Sequence, residues 1–92
     1  MQTTPHFLSY ANLSTAIVCA TADPSGRGRH AVGIYAGASG TAVVRPRGGA
    51  SNGSNDRTLT LVAGMPPLDV EFSNVVSGTA TAVTIFWERN VT

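Results

Sequence analysis

From residue 15 onward the chain is written in short β-type runs separated by clusters of Gly, Pro, Asp and Ser, and no window repeats its apolar residues at a helical period. The cleanest run is Leu68-Asp69-Val70-Glu71-Phe72, with three apolar residues on one face and two acids on the other. Residues 79–87 use the same period of two. Thr79, Thr81, Val83, Ile85 and Trp87 fall on one side, and Ala80, Ala82, Thr84 and Phe86 on the other. In 58–63 the inward set is Leu59, Leu61 and Ala63. Successive strand side chains point to opposite faces, so such runs bury one face of a sheet. With further runs at 15–20, 30–36 and 41–45, the pattern predicts an all-β fold. The expectation is a small antiparallel β-sandwich or barrel, jelly-roll-like, of about six strands.

The chain has 92 residues, which predicts one β domain over 15–92, preceded by an N-terminal arm over 1–14. A domain this small buries roughly 60–65% of its unfolded surface, so its core is thin. Charged residues are 12% of the chain, against about 25% in an ordinary domain. Lysine is absent, so every basic side chain is an arginine. A net charge of +1 excludes strong diffuse attraction to nucleic acid. A membrane-spanning helix is excluded because no run of about 18 apolar residues exists. Residues 1–15 lack the basic start and long apolar stretch of a secretory leader. Cys19 is the single cysteine. It therefore builds no disulfide scaffold, and within an apolar run it reads as a small buried hydrophobe.

In the arm, Phe7, Leu8, Tyr10 and Leu13 follow no period and Pro5 disfavours a helix, so these four read as groups that dock on a partner. The stretch 15–20 reads as one buried strand, and Asp23-Pro24-Ser25-Gly26 as a turn. Two β-rich runs around Gly37-Ala38-Ser39-Gly40 suggest a tight hairpin. Its expected register sets Ile34 against Val43 and Val32 against Arg45. Pro46 ends the third strand, and the polar residues 48–57 form an exposed loop.

Catalytic signatures are weak. Gly49-Ala50-Ser51-Asn52-Gly53 has the letters of a nucleophile elbow, but that device needs a strand before it and a helix after it. Neither flank fits. The available bases, His6 and His30, lie in the arm and beside arginines. Two histidines and one cysteine show no metal-ligand spacing, and Asp69 and Glu71 on one strand face read as solvated acids rather than a glycosidase pair. No enzyme, metal or cofactor is expected. The sequons at Asn12, Asn52 and Asn90 follow from a Ser/Thr-rich composition.

The arginines carry more information. The expected hairpin gathers Arg27, Arg29, Arg45 and Arg47 at one end, with His30 between them. One reading is a solvated hairpin base neutralised by Asp23 or Asp56. The other is an interface, where guanidinium forks meet carboxylates such as Asp69 and Glu71 of a second copy.

Three stretches also resemble a known family: Gly33-Ile34-Tyr35-Ala36-Gly37-Ala38-Ser39-Gly40-Thr41-Ala42-Val43-Val44; then Leu59-Thr60-Leu61-Val62-Ala63-Gly64 with Pro67-Leu68-Asp69-Val70; then Val76-Ser77-Gly78-Thr79-Ala80-Thr81 and Ile85-Phe86-Trp87. Spanning about residues 27–87, they are similar to small bacteriophage and gene-transfer-agent virion proteins of the head-spike-base type. Asp69 and Glu71 depart from the basic residues that follow the equivalent turn in that group. The resemblance implies a non-enzymatic capsid decoration or cement protein on the outside of a phage head, made in the bacterial cytoplasm. Its implied partners are copies of itself, the major capsid protein and a spike or fibre protein, with no nucleic acid, membrane or cofactor. A different expectation is a glycan- or receptor-binding module of a fibre, for which Tyr10, Tyr35 and Trp87 are the available aromatic groups.

Overall fold

The computed structural model describes the backbone at residues 3, 4, 6–87, 90 and 91, and side chains over 6–87. Residues 1, 2 and 5 of the expected arm lie outside it. The chain is mostly antiparallel β-sheet. Strands β1 (Thr3–Thr4), β2 (Phe7–Asn12) and β3 (Ile17–Val18) lead into a single helical turn, α1 (Cys19–Ala22). Then come β4 (Ala31–Ala38), β5 (Gly40–Pro46), β6 (Arg57–Leu61), β7 (Leu68–Gly78), β8 (Thr81–Trp87) and β9 (Asn90–Val91). The main sheet runs β2-β8-β4-β7-β5-β6, with β3 also against β7, and β1 pairs with β9.

The organising device is a two-stranded ribbon folded over at its middle. Its two sides are β4 continued by β5, and β7 continued by β8. On one arm of the ribbon Ala31 lies opposite Trp87 and Ala38 opposite Thr81. On the other arm Ala42 lies opposite Gly78 and Pro46 opposite Phe72. The first half of β7 then pairs with the start of β4, Ala31 to Phe72 and Ile34 to Leu68. That second ladder wraps the ribbon onto itself, and the result is a sandwich-like all-β body. At the fold, Thr41 O accepts from the backbone N–H of Thr79 (2.9 Å) and Ala80 (3.1 Å). Thr41 N–H donates to Thr79 Oγ1 at 2.9 Å.

This arrangement replaces the expected hairpin. β4 and β5 do not pair: Ile34 faces Ile85 and Leu68, and Val43 faces Thr58 and Ser77. Val32 does not meet Arg45 but sits at a register shift in both of its ladders. The glycines at the corner serve close approach rather than a tight turn. Neither Gly37 nor Gly40 has positive φ. A Cβ on Gly40 would stand 2.6 Å from the Ala80 backbone, and one on Gly37 would stand 2.9 Å from the Ala82 Cβ.

Two other expectations change. The apolar run 15–20 is not one strand: after two residues on β7 it turns into α1. Residues 7–12 are an outer strand of the sheet rather than a free arm, with Phe7 opposite Phe86 and Tyr10 opposite Val83. Leu13, just beyond, is fully buried. The core otherwise follows the alternation except at Leu68, which is exposed, and Ala80, which is buried from the face opposite Val83, Ile85 and Trp87. Phe72, Val83, Ile85 and Trp87 are buried from the predicted faces, joined by Ile34, Val44, Val75 and Cys19. Trp87 fills the largest share, and its indole N–H donates to Cys19 O at 3.0 Å. A buried indole needs such a partner. Leu61 is buried as expected, while Ala63 is exposed in the turn that follows.

Candidate functional site

Arg29 and His30 precede β4, Arg45 lies near the end of β5, and Arg47 directly follows it. Because Ala31 and Pro46 both lie opposite Phe72, these segments flank β7 and do meet at one end of the molecule. The meeting is made through β7, not through a hairpin. The charges there are largely held within the chain. Asp23 is the extreme case, with a carboxylate that is fully buried. It accepts from the N–H and hydroxyl of Ser25, both at 2.8 Å. It also accepts from Arg29 N at 2.7 Å, Arg29 Nε at 3.0 Å and Arg29 Nη2 at 2.8 Å. Hydrogen bonding from the Arg29 side chain holds the Asp23 carboxyl well below the usual carboxylate range, against the opposing effect of burial.

Arg45 clasps Asp56 (Nε to Oδ1 3.1 Å), closing the base of the loop between β5 and β6. Arg47 reaches Glu71 at 3.9 Å, where both side chains are more than half exposed. Glu71 also lies 3.4 Å from His30 Nε2, although His30 Nε2 makes no hydrogen bond. Arg29 and Arg45 are thus held by Asp23 and Asp56, the two acids considered for the solvated reading. Asp69 and Arg27 are both exposed, and neither takes part in an ion pair among the described residues. Arg27 stands between Gly26 and Gly28, both at positive φ, in a loop held by the Asp23 knot.

Of the four residues read as docking groups, Leu13 belongs to the core and Leu8 and Tyr10 pack against it. Phe7 alone is exposed, at 51%. Burial raises the Tyr10 hydroxyl pKa and lifts the Cys19 thiol to about 11, so Cys19 is an unreactive core group at neutral pH. Trp87, being buried, offers no platform to a glycan. Ser51 is exposed in a run of turns, with no helix following it. Among the described residues no three His, Cys, Asp or Glu side chains come together as metal ligands.

Two wide grooves lie where the sequence did not indicate them. An apolar groove of about 520 Å³ runs beside the end of β2 and α1, lined by Tyr10, Ile17, Val18 and Ala22. A second groove, of about 470 Å³, lies over the start of β4 and is lined by His6, Val32, Gly33, Pro67, Asp69, Phe86 and Trp87. Its aromatic side is formed by Phe86 and His6, with ring centres 6.3 Å apart, and Phe86 also packs across the strands against Phe7 at 6.2 Å. His6 lies edge-on to Phe7 at 5.5 Å. Val32, at the register shift between Ala31 and Gly33, is one of the residues lining the groove, and such irregularities re-aim side chains. Comparison with family models, with curated proteins and with solved structures finds no match for this chain.

Proposed function

We propose that the chain is a non-enzymatic virion structural protein, an oligomeric capsid decoration, cement or head-spike-base protein on the outer surface of a phage head. The observation that carries this reading is apolar surface along the open edges of a very small sheet. Phe7 lies on the outer strand β2, and Val62 directly follows the other outer strand, β6. Met65 and Leu68 are in the next turn and strand; Val62 is 50% exposed and Met65 54%. Open strand edges are templates for pairing with another chain. A thin core gains most from burial of this kind, since small domains commonly draw stability from oligomerisation. The family resemblance over 27–87 supplies the virion context and the major capsid protein as partner.

The test is native mass measurement of the purified chain, alone and after mixing with capsid shells. A ring-sized oligomer or a capsid-bound species is the expected result. A monomer that ignores shells overturns the reading.

A further inference from the structure

We propose that the groove between Asp69 and Phe86 is a guanidinium-binding site, and that its occupant is Arg27 of a second copy of this chain. The proposal rests on the oligomeric reading above and names the contact that builds it.

Three features converge in the groove. Asp69 is the described acid that has no cation partner; Asp23, Asp56 and Glu71 each face an arginine of their own chain. Opposite it, Phe86 and His6 present rings 6.3 Å apart. Between them, on β4, Val32 lies at a register shift and Gly33 carries no side chain, where a Cβ would approach Leu68 O to 3.3 Å and the Phe86 ring to 3.6 Å. A carboxylate facing aromatic carbon in a shallow cleft matches a planar cation. The guanidinium fork bonds the carboxylate through its edge and stacks its face on a ring.

Charge complementarity identifies the cation. Among the described arginines, Arg27 and Arg57 are in no ion pair. Arg57 opens an outer strand, opposite Val44. Arg27 instead stands at a loop apex between two positive-φ glycines, and the loop is pinned at its base by the buried Asp23–Arg29 knot. A side chain lifted from a rigid support can enter a cleft on a neighbour with little ordering cost. Donor loop and acceptor groove are different patches of one chain, so the contact is heterologous and can propagate around a ring.

Native mass is measured for the wild-type chain and for Arg27→Glu, Asp69→Arg, the double variant and Arg57→Glu, with circular dichroism confirming each fold. Both single variants are expected at monomer mass, the double variant at wild-type mass, and Arg57→Glu unchanged. A monomeric wild type overturns both the contact and the oligomeric reading. Single variants that keep the wild-type mass overturn the contact and leave the oligomer standing. Dissociation by Arg57→Glu in place of Arg27→Glu, or a double variant that stays monomeric, overturns the pairing.

Discussion

Asp23–Arg29 and Glu71–Arg47 are chemically the same pair, and they do opposite things. The first is closed off from water, with the carboxylate fully buried and five donors around it. The second spans 3.9 Å between side chains 57% and 62% exposed. A buried charge is tolerated only when its bonding capacity is filled, and removing its partner then exposes a large desolvation penalty. An exposed pair exchanges partners with water at little cost. One pair therefore fixes the shape of a loop, while the other leaves its surface available to rearrange.

The largest test of this contrast is Asp23→Ala, which removes the buried acceptor that serves five donors and the Arg29 ion pair with it. We expect a loss of about 3–5 kcal/mol in urea unfolding, a large part of the stability of a domain this size. A loss under 1 kcal/mol would remove the distinction between the pairs. The same knot predicts an acid response. The folded Asp23 carboxyl lies below its ordinary value of 3.8, so its contribution is complete above that pH and drains away as pH falls below it. The urea midpoint of the wild type should drop on acidification below about pH 4. Asp23→Asn, already weaker, should show a flatter profile.

Arg45→Ala should fall between the extremes, at about 1–2 kcal/mol, since its pair with Asp56 is mostly buried and closes a loop. Faster proteolysis within 47–56 would be the companion readout. At the bottom of the scale, Arg47→Ala should cost about 0.5 kcal/mol or less. A cost equal to that of Arg45→Ala would show that exposure does not rank these pairs.

The strands were most legible where one face is buried and the other wet. Leu68-Asp69-Val70-Glu71-Phe72 and the run ending at Trp87 betray their faces through charge and size, and the structure buries the predicted Phe72, Val83, Ile85 and Trp87. The hairpin was misread because two different demands select the same residue. A tight turn wants glycine for positive φ, and a close backbone crossing wants it for the missing Cβ. Gly37 and Gly40 answer the second demand, which depends on Ala80 and Ala82 some forty residues away. In the arm, Phe7 on the outer face hid an alternation in which Leu8 and Tyr10 turn inward. The segments carrying Arg29 and Arg45 lie on either side of β7 rather than at the base of a hairpin. The groove over Val32 had no sequence signal, because a register shift is decided by two ladders at once.

The folded ribbon also governs when this protein can fold. β7 lies against β3, β4 and β5, and β8 lies against β2 and β4. Nearly every earlier strand therefore waits for the last third of the chain. During synthesis the first sixty residues emerge with β5 and β6 as their one paired unit, and β2 keeps its apolar side chains uncovered until β8 is made. Such distant pairing favours slow, late and cooperative folding. It places the period of greatest aggregation risk before β7 and β8 are made, when the apolar side chains of their partner strands are still uncovered.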